Sequence, residues 1–446
     1  MAIVTSRRAT AEPPLPVRLL RMDEARRGAY RQVLDFYGGR QWRGNPRRGE
    51  RRLTFNYAKA FAEKVTSYLL LGSSIQVEAR DGSTAKMRQR ARTAELALRD
   101  VESANGLAQL DFETELDCAV LGDGCFKVTW DAAEGGVRVT APDVQGIFAW
   151  RQPDDPSRLV AVASQYSLAG ALPVSPQRLP ETFVTEHWTA QTFELWRGSE
   201  LERSEANPYG FIPFVLFPNV REPKQPWGAS DIPPLMESAR ELNRAYSQLS
   251  QILELSGNPI AVIEGVTASA DIAVEPGAIW EVPEKARAYL LDLLQGGGVK
   301  LHTDYIDLIY RTLHDLGEAP RTAFGHNPQG LSGVALNTEL DPLAKKVARK
   351  RLIRTTAYER RAMLMLRLLG QFAGLEIEGL RPVMSWGPVL PIDRSRQVAD
   401  ERVLVEAGVT SRRTAAAHLG ADDPEAEWAR VLEERAGSPP GTDKVS

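Results

Sequence analysis

Two cysteines in 446 residues, Cys118 and Cys125, exclude a disulfide framework, and their seven-residue spacing without a matching His or Cys pair makes no zinc site. Histidine is scarce and scattered: His187, His302, His314, His326 and His418 form no H-E-x-x-H and no His/Cys cluster, which argues against a metal hydrolase. A G-x-x-x-x-G-K-[ST] loop is missing, and Gly296-Gly297-Gly298-Val299-Lys300 lacks both its spacing and its hydroxyl, which argues against a motor ATPase. There is no G-x-S-x-G nucleophile elbow. Gly122 and Gly124 flank a lone carboxylate, Asp123, which suits turn chemistry and offers no acid/base pair. No uncharged apolar run reaches 18 residues, and no apolar segment follows Arg7 and Arg8. Neither a membrane span nor an export signal is expected, and a reducing compartment suits the free thiols.

What is present is size and an uneven charge. A chain of 446 residues has room for about two to four domains and a substantial core. The net charge of -3 hides a partition: residues 1–53 hold 13 Arg against 5 acids, and residues 337–374 hold 9 basic against 3 acidic residues. With those segments at +8 and +6, the other 355 residues carry -17. Two basic segments on an acidic chain suit phosphate-facing surfaces or patches that pair with neighbouring subunits, and charge leaves both open.

Residues 231–317 organise the rest. Ile232, Leu235, Met236, Ala239, Leu242, Tyr246, Leu249, Ile252 and Leu253 follow helical i, i+3, i+4 spacing, with Glu237, Arg240, Glu241, Arg244, Gln248 and Gln251 opposite. That helix would span roughly 39 Å. Ser230 and Asp231 suit its N-cap, and Gly257 followed by Pro259 its stop. Leu301, Tyr305, Leu308, Ile309, Leu313 and Leu316 repeat the pattern over roughly 25 Å, with Asp304, Asp307, Arg311 and Asp315 outside. Between the two, residues 259–264 and 278–282 read as strands and 284–294 as a short helix. Periodicity alone describes an antiparallel helical hairpin with a decorated loop.

Around this hairpin the reading is α+β. Residues 1–15 form a mobile arm, and helices are expected over 21–37, 56–71, 85–106 and 107–121, the last with Phe112, Leu116 and Val120 on one side. Short β-rich runs from 125 to 196, punctuated by Gly, Pro and Asp, predict a mostly antiparallel region whose Trp residues serve packing. Residues 319–337 form a glycine-rich loop from which Phe324, His326, Asn327, Gln329 and Leu331 can reach a partner. A long helix over 335–369, bent at Pro342, carries Lys345, Lys346, Arg349, Lys350, Arg351 and Arg354, with Lys346, Lys350 and Arg354 on one basic flank. A strand near 377–386 and three short helices, 394–407, 411–419 and 423–436, precede a Ser/Pro/Gly-rich tail.

Several stretches, in order, carry a resemblance. They are Tyr37-Gly38-Gly39-Arg40-Gln41 with Asn56-Tyr57-Ala58-Lys59, then Val120-Leu121-Gly122-Asp123-Gly124-Cys125-Phe126-Lys127-Val128. Trp227-Gly228-Ala229-Ser230-Asp231-Ile232, Glu241-Leu242-Asn243-Arg244 and Ser256-Gly257-Asn258-Pro259 follow. Ser332-Gly333-Val334-Ala335-Leu336 and Glu406-Ala407-Gly408-Val409-Thr410-Ser411 complete the series. Over about residues 30–435 the chain resembles the portal proteins of tailed double-stranded DNA bacteriophages, in the siphophage-like branch.

The resemblance implies an α+β portal fold: wing over 1–225, first stem helix 226–257, clip 258–300, second stem helix 301–318 and tunnel loop 319–336. A long basic helix with a return to the wing (337–390), a crown (391–436) and a disordered tail (437–446) would follow. It implies a ring, usually of twelve subunits, at one capsid vertex of a virion assembled in the host cytoplasm. Double-stranded DNA would pass through it during packaging and ejection. Terminase, a head–tail adaptor and the major capsid or scaffold protein would be partners, with no enzyme activity, cofactor, metal or membrane involved. DNA is driven by the separate terminase in that family, so the channel wall must let a polyanion slide, and strong phosphate binding would stall it. On this reading Phe324, His326, Asn327, Gln329 and Leu331 lie nearest the DNA, and Asp304, Asp307 and Asp315 face the channel from the stem. Lys345, Lys346, Arg349 and Lys350 would meet DNA at the wider end or pair between subunits, and Glu264, Glu281, Glu284 and Arg287 would contact partners at the clip. Two rival readings are a DNA-processing enzyme with dispersed carboxylates and a portal-like ring of a defective prophage or gene-transfer particle.

Overall fold

The computed structural model describes residues 12–80, 84–168, 183–257, 260–264, 287–291, 298–326, 333–390, 394–421 and 424–437. They fall into two compact units, Met1–Gly387 and Pro388–Ser446. The first opens with α1 (Leu15–Arg21), α2 (Glu24–Tyr37), α3 (Tyr57–Leu69), β1 (Ser74–Ala79), α4 (Ala85–Asn105) and α5 (Leu107–Leu121). A β-rich stretch follows: β2 (Asp123–Asp131), β3 (Gly136–Thr140), β4 (Ile147–Arg151), β5 (Leu159–Ser167), β6 (Phe183–Thr189), β7 (Thr192–Arg197), β8 (Glu200–Ala206) and β9 (Phe214–Pro218). Then come β10 (Val220–Arg221), β11 (Gly228–Ala229), α6 (Pro233–Gly257), β12 (Ile260–Glu264), β13 (Arg287–Leu291) and α7 (Gly298–Gly317). A 3₁₀ turn at Arg321–Phe324, α8 (Gly333–Glu339), α9 (Asp341–Ala373) and β14 (Leu380–Ser385) complete this unit. The second contains α10 (Arg394–Glu406), α11 (Arg412–His418) and α12 (Pro424–Gly437).

Local chemistry explains many of the boundaries. Asn56 caps α3 by accepting from Lys59 N, and Thr84 caps α4 by accepting from Met87 N. Gly106, at φ +59°, ends α4 in the left-handed region and starts α5. Among the described residues every strand pair is antiparallel: β4 to β8 form a five-stranded sheet in chain order, and β2 lies between β3 and β9. The edge strand β8 is exposed throughout and carries Glu200, Glu202 and Glu205, charges that discourage a further strand from adding there. β1 pairs with β14, Ser74 opposite Ser385, so that distant parts of the unit are joined. The main core packs Tyr358, Ala362, Met365 and Leu366 of α9 with Leu98 of α4 and Phe126 and Val128 of β2. Each large apolar side chain buried there contributes roughly 1.5–3 kcal/mol.

The α+β class holds, and the Trp side chains pack: Trp188 lies 4.2 Å from Phe193 and Trp130 stacks on Phe372 at 5.1 Å, centroid to centroid. Three expectations change and a fourth is not reached. Residues 287–291 form a strand and no helix, because the apolar run Ala288 to Leu291 pairs with β12 in the register Glu264↔Arg287 to Ile260↔Leu291. The strand expected over 278–282 lies outside the described residues. The single bent helix is two helices separated at Leu340, with Pro342 in the first turn of α9, where its missing N–H costs nothing. On α5, Phe112 is exposed while Thr114, Glu115 and Cys118 are buried, since that side meets the charged side chains of α9.

Candidate functional site

The hairpin of α6 and α7 is the candidate site, and its root is built from the quoted stretches. Gln41 Oε1 accepts from Asn243 Nδ2 at 2.7 Å, and Gln41 Nε2 donates to Asn56 Oδ1 at 2.8 Å. Asn56 Nδ2 donates in turn to Tyr37 O at 2.7 Å, while Asn243 Oδ1 accepts from Phe55 N at 2.8 Å. These amides tie the chain entering α3 to the middle of α6. A second junction lies at the start of α6. Asp123 accepts from Tyr30 Oη at 2.6 Å and from Gly228 N at 2.8 Å, and Asp231 N donates to Ala119 O at 2.9 Å. Gly122 has φ +102°, and a Cβ there would meet Gly228 O at 2.7 Å, so no side chain fits. The Arg26 guanidinium covers the Trp227 ring at 3.8 Å.

The basic flank of α9 is the main correction. Lys350 is 1% exposed and Arg354 is fully buried. Lys350 Nζ donates to the Asp231 carboxylate and, at 2.7 Å, to Asn219 Oδ1, while buried Lys346 donates to Gly317 O at 3.0 Å. Arg354 pairs with Glu115 at 2.8 Å and donates to Asn219 O at 2.6 Å. Arg361 grips Asp111 with two hydrogen bonds. Lys346 and Lys350 therefore belong to the interior of the chain. Burial alone would raise the Asp231 carboxyl, but the two lysine ammoniums hold it down at about 2. Burial lowers Lys350, and the Asp231 charge opposes that. Lys345 and Arg349 remain at the surface, paired with Asp341 at 2.7 Å and Glu318 at 2.6 Å.

On α7, Asp304 is exposed and pairs with Lys300 at 3.0 Å, Asp307 pairs with Arg311, and Asp315 is exposed. The face is one of mixed sign rather than bare carboxylates. The inward row is Ile306, Ile309, Leu313 and His314, while Leu301, Tyr305, Leu308 and Leu316, expected to face inward, are exposed.

The loop after α7 starts from an aromatic cluster. Phe61 lies 4.9 Å from both His314 and Phe324, and His314 Nδ1 donates to Ala319 O at 2.6 Å. Burial pushes His314 below its usual value, the hydrogen bond partly opposing this. A Cβ on Gly317 would meet the Phe61 ring at 2.5 Å. Phe324 is therefore an anchor at the base of the loop and not one of its projecting residues. His326 is exposed, and Asn327, Gln329 and Leu331 lie outside the described residues. At the insert, Glu264 and Arg287 are exposed and directly opposite on β12 and β13, while Glu281 and Glu284 lie outside the described residues.

A cleft of about 980 Å³ opens between residues 41–52 and α6, lined by seven arginines and three glutamates. Among the described residues no group of three or more His, Cys, Asp or Glu is placed to hold a metal ion, and no helix is long and apolar enough to cross a membrane.

The geometry defines an α+β subunit organised on a helical hairpin with a two-stranded insert between its helices. A family model described as "Phage portal protein, SPP1 Gp6-like" matches residues 18–440, and the chain belongs to that family, whose members are structural proteins. A solved chain from "Virion of native gene transfer agent (GTA) particle" is similar at 12% identity, covering 88% of this chain and 94% of that one, with a TM-score of 0.48. No curated protein matches the chain.

Proposed function

We propose that copies of this chain close into a ring at one vertex of a phage-like particle and act as the conduit for double-stranded DNA during packaging and ejection. The observation that carries this is the family match over residues 18–440, spanning both units and the hairpin. In this reading residues 1–225 with the return segment 337–390 are the wing, α6 and α7 the stem, residues 258–300 the clip, 319–336 the tunnel loop and 391–436 the crown. The clip, with Glu264 and Arg287 on its exposed strands, docks terminase during packaging and head-completion proteins afterwards. The wing and crown meet capsid or scaffold protein.

The channel works without a reacting group. A ring that gripped phosphates would hold DNA with a force that grows with every neutralised charge. The four cations of α9 named above are already engaged: Lys346 and Lys350 are buried, and Lys345 and Arg349 are paired. The charged face of α7, centred on Asp307 and Arg311 with Asp304 and Asp315 at its border, turns to the channel. Asp304 and Asp307 carry local counter-cations there, so the net field is weak and the polyanion stays mobile. His326, with Asn327, Gln329 and Leu331, comes nearest the duplex.

Immunogold labelling of particles assembled with an epitope-tagged chain tests this. One labelled vertex per particle, and DNA-free particles when the chain is omitted, are expected. Label on every vertex, or full particles without the chain, would contradict the proposal.

A further inference from the structure

At 100° per residue α7 has three unlike faces. Ile306, Ile309 and Leu313 point into the chain's own core. Asp304, Asp307, Arg311 and Asp315 form the charged face. The third face holds Leu301, Tyr305, Leu308 and Leu316, exposed by 72%, 41%, 61% and 46%. With exposed Thr312 between Leu308 and Leu316, they lie along one face over roughly 22 Å and form a ridge and not scattered surface residues. Asp304 and Asp315 border this ridge.

Across the hairpin lies a surface of opposite character. Residues 49–55 run along one flank of α6, where Leu53 N donates to Ser247 Oγ at 2.9 Å and Gln251 donates to Gly49 O at 3.2 Å. α7 lies on the other side of α6, and Tyr305 Oη donates at 2.7 Å to Glu241, which lines the cleft at its α7 rim. The order across the hairpin is therefore arginine segment, α6, α7. In the arginine cleft, Arg43, Arg52 and Arg244 are engaged by Glu237, Glu50 and Glu241. Arg47 and Arg48 are exposed, with no carboxylate at ion-pair distance among the described residues. The second basic segment of the sequence is neutralised inside the chain, which leaves this cleft as a basic surface still in need of counter-charge.

We infer that the α7 ridge of one copy seats against the arginine cleft of the next. Asp315, and Asp304 in exchange for its exposed partner Lys300, meet Arg47 and Arg48 of the neighbour, while the arginine stems and Trp42 cover the leucines. The occupant is a second copy because one chain carries both unlike, complementary edges. Unlike edges make a head-to-tail contact, which closes into a ring when the rotation allows. The contact leaves the centre of the charged face of α7 free. This rests on the ring reading proposed above and specifies where its seam runs.

The test is mass photometry of the full chain in four forms: wild type, Arg47→Glu/Arg48→Glu, Asp304→Arg/Asp315→Arg, and all four changes together. All four sites are exposed, and circular dichroism verifies that each form is folded. Rings are expected for wild type, at least a tenfold loss of the ring population for each charge-reversed pair, and rings again for the combined form. Leu308→Gln, which keeps the charges of the seam, is expected to lose rings as well. Unchanged rings in both charge-reversed pairs, or a folded combined form without rings, overturns the seam and leaves the portal reading standing. A species that stops at two copies assigns a two-fold contact and also overturns it. A wild-type chain that never leaves the monomer overturns the portal reading and this seam with it.

Discussion

Asn243 on α6 donates to Gln41 Oε1 at 2.7 Å across 202 positions of sequence, while its own Oδ1 accepts from Phe55 N at 2.8 Å. Both side-chain amides are buried, so nothing in solvent replaces the bond between them. Asn243→Ala strands a donor and an acceptor at once, and a loss of about 2–4 kcal/mol is expected from the two. Urea denaturation measures it. A loss below about 0.5 kcal/mol would show that the amide chain does not hold the hairpin root.

Gly122 and Gly106 separate backbone strain from crowding. Both have positive φ, +102° and +59°, but a Cβ on Gly106 meets open space while one on Gly122 meets Gly228 O at 2.7 Å. Gly106→Ala is expected to cost about 1 kcal/mol, the left-handed penalty alone. Gly122→Ala should cost about 2–4 kcal/mol, because the β2–β11 contact must open as well. Equal losses in thermal denaturation contradict the crowding account.

Asp231 gives the fold an acid limb. Its carboxyl is held at about 2 against an ordinary 3.8, so its contribution is fully present above about pH 4 and is lost as pH falls through about 2. The size is on the order of 2 kcal/mol. Denaturation between pH 5 and pH 2 should show that slope in the wild type and a shallower one in Asp231→Asn, which is also less stable at neutral pH because Lys350 loses its counter-charge. Parallel curves would refute the assignment.

Arg354 and Glu115, paired at 2.8 Å with neither side chain exposed, make a second test of buried charge. Either Arg354→Met or Glu115→Leu leaves the other ion uncompensated, and a loss of about 3–5 kcal/mol is expected. The double variant should recover part of that loss, and a double-mutant cycle measures how much. Strict additivity would mean that the pair is not coupled.

The same ion pairs explain what the sequence could and could not disclose. Helices α4 and α5 were legible nearly to the residue, because Thr84, Gly106 and Gly122 mark their ends by local chemistry. The hairpin was legible from its 3.6-residue spacing, and the family from short stretches whose Gly122, Asp123, Gly228, Asn56 and Asn243 prove to be neighbours at the hairpin root. The sense of the basic flank on α9 was not. Spacing of four puts Lys346, Lys350 and Arg354 on one side of a helix, but Asp231 and Glu115, which draw that side inward, lie 119 and 239 positions away. The α7 ridge misled for the opposite reason: Leu301, Leu308 and Leu316 fit an apolar stripe, and a stripe does not say whether its cover comes from the same chain. Residues 287–291 followed their cross-strand partner in place of a local helical preference.

The central claim is the ring, and the native mass of the untreated chain tests it most directly. Twelve chains of 49.3 kDa give about 592 kDa. Mass photometry at micromolar and lower concentrations, with negative-stain images of the same sample, is expected to show a particle at that mass or within one subunit of it, with a central hole. A monomer that persists across concentration and salt, or an assembly without a hole, would contradict the account.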